Sequence, residues 1–398
     1  MNVPFMDLKT QYMGIKAEVE PAVLDILENC CYIGGKYVTD FEKSMEEYLG
    51  VKHVIGCSNG TDALVLALRA CNVKPGDEVI TTPFTFFATA ESIASIGAIP
   101  VFVDIKSDDY TIDPDKIEAA ITDKTKAILP VHIFGAACDM DLIMDIAKKH
   151  NLMVIEDDAQ AIGCEYKGRK VGTIGDVGCF SFYPTKNLGG AGDGGMVTTN
   201  SNDLYTILKA YKEHGAGENG AKALELQEGI KEKVGTNEVA TEYYNPYKYY
   251  NYLIGYNSRL DAIQAAVLSA KLKHLDEYND RRTQIAKMYF EGLTDKLRRP
   301  IYGTDTKPCW HQFVVCSEYK SELCAYLSEH GVGNGTFYPI PLHKQKAFNT
   351  SNCQNPGASL PVAEKISSQS VCMPIFPEMT DEQVQYVIDT ANKFYEDK

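Results

Sequence analysis

Ser181-Phe-Tyr-Pro-Thr-Lys186-Asn-Leu-Gly-Gly-Ala-Gly-Asp-Gly-Gly195 sets one lysine behind a short aromatic strand and ahead of a run of glycines, where a backbone can approach a flat ligand. Partial burial lowers the pKa of a lysine amine and makes it a nucleophile, and its characteristic product with an aldehyde is a Schiff base. Lys186 is therefore the candidate for covalent chemistry, and pyridoxal 5'-phosphate (PLP) is the aldehyde it points to. The glycines also satisfy G-x-G-x-x-G at Gly190–Gly195. A dinucleotide fingerprint follows a strand and opens a helix. Here the run leads into Met196-Val-Thr-Thr199, which reads as a strand, so a nicotinamide site is not expected.

The 398 residues are 44% hydrophobic, enough for a large core and for two domains. The net charge of −15, from 39 basic and 54 acidic residues, disfavours nucleic acid and anionic membranes as partners. Twelve cysteines show no paired C-x-x-C and no metal-ligand spacing with histidine. Cys57, Cys164, Cys179 and Cys316 sit in apolar runs and read as small core residues of a protein in a reducing cytosol. No metal ligand set is expected. The start of the chain lacks a basic region followed by an apolar stretch, and nowhere do eighteen apolar residues run together, so neither secretion nor a membrane span is expected.

Residues 7–49 read as helical, interrupted at Ile33–Val38, with the second helix over Asp40–Tyr48. From His53 the pattern alternates. Apolar runs at 53–57, 78–82, 100–104, 126–131, 152–156, 178–183 and 194–199 are separated in most gaps by helical segments at 61–72, 86–96, 114–121 and 139–150. Such alternation predicts crossover units and a mostly parallel sheet, whose ligands bind beyond the carboxyl ends of the strands. Residues 215–250, Gly-rich, then charged, then tyrosine-rich, read as a long surface excursion. A helix opening near Gln264 is expected to continue towards Tyr289. The remainder, with a strand at 312–316 and helices at 322–330 and 380–393, suits a smaller α+β domain. The expected division is 1–270 and 271–398.

Three strand ends carry chemistry. Ser58-Asn-Gly60-Thr61-Asp62 runs into a helix whose free N–H groups favour a phosphate, with Asp62 contributing only its N–H. Phe86 could stack on a cofactor ring. Glu156-Asp157-Asp158 closes a buried strand with three carboxylates, and one of them could hold a pyridine nitrogen protonated.

These residues carry a resemblance. Ser58–Leu64, Pro130-Val-His-Ile-Phe-Gly135, Glu156-Asp157, Gln160, Ser181–Lys186, Gly192–Gly195 and Gly255-Tyr-Asn-Ser-Arg259 resemble the DegT/DnrJ/EryC1/StrS family of sugar aminotransferases, from Phe5 to near the end of the chain. The resemblance implies an α/β PLP-dependent transferase fold of the aspartate-aminotransferase type, with a mostly parallel seven-stranded sheet and a smaller C-terminal α+β domain. It also implies a cytoplasmic homodimer with active sites at the subunit interface. Lys186 and Asp157 would be catalytic, Gln160 would contact the ring hydroxyl side, and Phe86 would stack on the ring. Gly60, Thr61, Asp62 and Ser181 would hold the phosphate, joined by Asn257 of the second subunit, while Arg259, Phe337 and Tyr338 would lie near the substrate. The implied reaction moves an amine from L-glutamate to a ketone of a nucleotide-linked hexose. C3 of a dTDP-3-keto-6-deoxyhexose or a UDP-2-acetamido-3-keto-glucuronate is expected, with C4 as the alternative. A dehydratase of the same fold replaces the imine lysine by histidine, and a non-catalytic sensor would be expected to lose Lys186 or Asp157. Phe337 stands where some C3-specific relatives carry histidine, and the 215–250 stretch is longer than the family leads one to expect.

Overall fold

In the computed structural model, which describes residues 1–232, 241, 245–348, 359–396 and 398, the alternating region forms one seven-stranded sheet. Its strands are β1 (His53–Cys57), β2 (Glu78–Thr81), β3 (Ile99–Phe102), β4 (Thr125–Leu129), β5 (Met153–Asp157), β6 (Val177–Ser181) and β7 (Gly195–Thr199). They lie in the order β1-β7-β6-β5-β4-β2-β3. Pairing from β3 to β6 is parallel, and β7 runs antiparallel to both β6 and β1.

Strand alternation divides the apolar side chains between two faces. Val79, Ala127, Leu129 and Ile155 pack into one core, while Ile80, Ile128 and Val154, each adjacent in sequence, pack into another on the opposite face. Both faces are covered by helices, which is why the strands read as continuous apolar runs. The helices of this part are α1 (Leu8–Glu28), α2 (Gly35–Leu49), α3 (Gly60–Ala70), α4 (Ala88–Ser95), α5 (Met140–His150), α6 (Asn202–Lys212), α7 (Gly217–Glu228) and α8 (Ala262–Leu272). Asp139 caps α5 by accepting the Leu142 N–H, and Asn151 ends it in the left-handed conformation.

The structure changes three expectations. The second helix begins at Gly35, not Asp40. Residues 217–228 form a helix that buries Ala221 and Ala223, so this part of the expected surface excursion belongs to the core; residues 233–240 and 242–244 of it lie outside the described residues. The helix expected to run on to Tyr289 is two helices, α8 and α9 (Leu275–Gly292), separated at Lys273-His274. The reason is that they serve different cores. Val267 and Ala270 pack on Ile15 and Val19 of α1, whereas Ile285 and Tyr289 enter a second core.

That second core is built on β8 (Phe313–Cys316) paired antiparallel with β9 (Ser370–Met373), together with α10 (Lys320–Glu329) and α11 (Asp381–Phe394). Val3 reaches it from the other end of the chain, donating its N–H to Gly331 O at 2.8 Å. The fully buried Arg282 ties this part to the loops by donating from Nη1 to the carbonyl of Ile375 at 2.6 Å. The eleven described cysteines are free, and Cys57, Cys164, Cys179 and Cys316 are buried. Among the described residues no helix is long and apolar enough to cross a membrane.

The glycine run has a packing explanation that differs from the one expected of it. A Cβ at Gly189 would lie 2.2 Å from Pro184 O, one at Gly190 2.7 Å from Gln264 Oε1, and one at Gly195 2.5 Å from Asn59 O. These glycines admit neighbouring protein rather than a ligand. Gly195→Ala would drive β7 against the backbone that starts α3, a clash no rotamer relieves. We expect a loss of about 2 kcal/mol in urea denaturation, within the range for overpacking; an unchanged midpoint would show that the backbone moves aside freely.

Candidate active site

The carboxyl ends of β1, β5 and β6 bring the predicted residues to one edge of the sheet. Asn59 caps α3 by accepting the Asp62 N–H at 2.8 Å. This corrects the expected role of Asp62, whose amide proton serves the cap. The N–H groups of Gly60 and Thr61, the first two of the helix, make no hydrogen bond among the described residues and remain as the donors of the turn. A Cβ on Gly60 would lie 2.6 Å from Cβ of Ser181, so the helix start and the end of β6 meet only because position 60 has no side chain.

Asp157 is the last residue of β5 and is 4% exposed. Its Oδ2 accepts from Thr89 Oγ1 at 2.8 Å and its Oδ1 from the Ala159 N–H at 3.2 Å. Burial pushes its carboxyl up, against those two bonds and the charge of Lys186. Lys186 is half-buried, and its Nζ makes no hydrogen bond or ion pair among the described residues. Desolvation brings its amine down to about 8, with Asp157 pulling the other way. Each group thus shifts towards the form it takes when uncharged, and each charge partly restores the other.

Phe86 is 59% exposed and its ring lies 6.4 Å from that of Tyr338. Gln160 brackets two loops: its Oε1 accepts from the Phe134 N–H at 2.7 Å, and its Nε2 donates to the Tyr338 hydroxyl at 2.7 Å. Its shown partners are protein groups, so it positions Tyr338. Phe337 packs on Phe5 and Tyr338. Asn257 is exposed; its Oδ1 accepts from Arg259 Nη1, and Arg259 Nε lies 3.9 Å from Glu213 Oε1.

Four residues escape a linear reading. Thr89 holds Asp157, and its only sequence signal is a place at the end of Thr82–Thr89. Asn187 Nδ2 donates to Asn279 Oδ1 and to Cys309 O, at 2.8 and 2.9 Å. Its Oδ1 must therefore accept, and His311 Nδ1 carries the proton it receives at 3.1 Å. Burial, with Lys186 and Arg282 adding to it, holds His311 well below the usual imidazole range and so neutral. His132 lies beside Glu156 and Asp158, all three fully enclosed and close enough to hold a cation. The Cys138 N–H donates to His132 Nδ1 at 3.0 Å, which leaves the ring proton on Nε2, facing Glu156 Oε2 at 3.0 Å. A protonated Nε2 is a donor, not a ligand, so the cluster reads as a hydrogen-bonded network.

Comparison with known proteins agrees with this geometry. The profile of the DegT/DnrJ/EryC1/StrS aminotransferase family matches residues 14–392. A protein of Geobacillus stearothermophilus named a pleiotropic regulatory protein is 42% identical over 99% of this chain and 99% of its own. A UDP-N-acetyl-3-dehydro-α-D-glucosamine 3-aminotransferase of Acidithiobacillus ferrooxidans is 39% identical over 96% of this chain and 95% of its own. The crystal structure of S. venezuelae DesV in complex with a ketimine intermediate superposes with a TM-score of 0.88 at 37% identity, covering 99% of each chain.

Two measurements follow from the Asp157–Lys186 pair. Thr89→Val removes a donor to a buried carboxylate and is expected to lower stability by about 1.5–3 kcal/mol; an unchanged urea midpoint would mean the bond contributes nothing. The rate at which added PLP condenses with the protein should rise with pH and level off around a midpoint of about 8, as the Lys186 ammonium loses its proton. A midpoint at the ordinary lysine value would show an amine fully in water.

Proposed function

The chain belongs to the DegT/DnrJ/EryC1/StrS aminotransferase family, and we propose that it is a PLP-dependent transaminase carrying an amino group from L-glutamate to the C3 ketone of a nucleotide-linked hexose. The observation that carries this reading is Lys186: a half-buried amine without a partner, brought down to about 8, at a site shared with a buried carboxylate. The residues fit PLP. Unbonded N–H groups of Gly60 and Thr61 at the start of α3, with Ser181 packed against them, suit a phosphate. Exposed Phe86 offers a face to a ring.

When bound, PLP supplies an aldehyde that captures amines and a ring that draws electrons away from the bond being remade. Asp157, fixed by Thr89 and Ala159, would hold a proton at the ring nitrogen. Lys186 would hold the cofactor covalently and would serve as the proton carrier of the site, since an amine brought down to about 8 can both take and give a proton. Gln160 keeps Tyr338 at the mouth of the site, next to Phe337.

C3 regiochemistry follows the A. ferrooxidans relative, a 3-aminotransferase by name. The G. stearothermophilus relative is named for regulation, but a fold kept only for signalling has no use for a desolvated lysine opposite a buried carboxylate. We further propose a cytoplasmic homodimer in which Asn257 of the second subunit joins the phosphate site and Arg259 lies close to the substrate. Its exposed side chains Tyr32, Ile33 and Ile254 are consistent with a covered surface.

The wild-type protein should turn yellow with PLP and lose that colour on addition of L-glutamate, and Lys186→Ala should never acquire it. Incubated with glutamate and a panel of dTDP- and UDP-linked 3- and 4-ketohexoses, the protein should give an amine product, identified by mass, from a 3-ketosugar. A colourless wild type would overturn the reading, and product only from 4-ketosugars would overturn the C3 assignment.

A further inference from the structure

Asp157 ends β5 between two other acids, Glu156 within the strand and Asp158 just beyond it, and Glu156 and Asp158 meet at His132. There the environment separates them sharply. Glu156 accepts from four donors: Gly172 N–H at 2.9 Å and His132 Nε2 at 3.0 Å on Oε2, and Ile174 and Gly175 N–H at 2.8 and 2.7 Å on Oε1. Four donors are the signature of a carboxylate. Asp158 is 1% exposed, and among the described residues neither of its oxygens has a hydrogen-bond partner. His132 Nε2 lies 3.6 Å from its Oδ1 and is already committed to Glu156. His132 is also bonded to Asp157 through the backbone: its N–H donates to Asp157 O at 3.1 Å, while Asp157 N–H donates to Pro130 O at 2.9 Å.

We propose that Glu156, His132 and Asp158 form a buried positioning network for Asp157 that carries one negative charge, on Glu156, and keeps Asp158 as a neutral carboxylic acid. The polarity of the hydrogen bonds assigns each protonation state. Cys138 fixes the imidazole tautomer, the imidazole and three amides stabilise the Glu156 anion, and Asp158, with no donor, keeps its proton. Desolvation, then Glu156 and Asp157, push the Asp158 acid well above the carboxylate range, whereas the bonds to Glu156 outweigh its desolvation. The other titratable groups around Asp158 are the thiols of Cys164, Cys179 and Cys309, which burial keeps protonated.

The consequence for Asp157, which rests on its assignment above as the partner of the ring nitrogen, is electrostatic. Three adjacent anions would raise the pKa of Asp157, and a protonated Asp157 would offer a pyridinium no negative charge. With Asp158 neutral, Asp157 remains the anion at the ring while His132 holds it in register from behind.

Asp158→Asn tests the charge assignment without any cofactor. Asp158 has a raised pKa in the folded protein, so its stabilising contribution is complete below the unfolded value and is lost as pH rises towards the folded one. Relative to the variant, the wild-type folding constant should fall by up to about tenfold per pH unit between about pH 5 and about pH 7. Parallel stability curves would overturn the neutral acid. His132→Leu and His132→Gln test the positioning in the PLP-loaded enzyme. The leucine variant should bind PLP more than about tenfold more weakly and shift the pH at which the bound chromophore titrates, and glutamine, which keeps a donor towards Glu156, should recover both at least in part. Wild-type affinity and titration in the leucine variant would overturn the role of His132, as would a glutamine variant no better than leucine. Should the wild type bind no PLP, the functional reading fails while the Asp158 stability comparison still decides the charge assignment.

Discussion

Desolvation of two opposite charges at the same edge of the sheet is the constraint on which the rest depends. Burial pulls the Lys186 amine down and pushes the Asp157 carboxyl up, and each moderates the shift of the other. A lysine in open water would be protonated at neutral pH and inert towards an aldehyde, and an exposed aspartate would exchange its partner for solvent. The sheet solves this by ending β5 and β6 beneath several loops. Asp157 closes one strand, and the lysine follows the other after a short turn in which the Lys186 N–H donates to Tyr183 O.

The support around that pair is unusually polar for so enclosed a region, and it is satisfied nearly throughout. Asn187 uses both amide hydrogens and its oxygen, Gln160 joins two loops, and Glu156 accepts four bonds. Such networks fix one arrangement because any partial rearrangement leaves a buried polar group unpaired. Asp158 is an exception among the described residues, and it stands next to Asp157. An unpartnered acid at that point has an electrostatic meaning that it would lack elsewhere in the core.

Much of this could be read from the chain. The apolar runs gave the strands to within a residue or two of their ends, because a sheet covered on both faces leaves continuous apolar segments, and Asp139 marks a helix start in the residue order itself. The placement of Asp157 and Ser181 at strand ends, with Lys186 just beyond, was legible from the same apolar runs. The break at Lys273-His274 was not, since both halves have helical periodicity and only their burial in different cores separates them. The helix at 217–228 was hidden by its polar composition: only its small residues face the core, and small residues carry little hydrophobic signal.

Residue order by itself therefore determined the class of fold, the single lysine between an aromatic strand and a glycine run, and the acidic strand end, since periodicity and local spacing are properties of neighbours along the chain. Tertiary structure alone decided which groups meet. Thr89 reaches Asp157 across 68 positions and His311 reaches Asn187 across 124. It also decided how donors are shared among three consecutive carboxylates, with four on Glu156, two on Asp157 and, among the described residues, none on Asp158. That sharing depends on the fold, since donors contributed by distant loops exist only once the chain has closed around them.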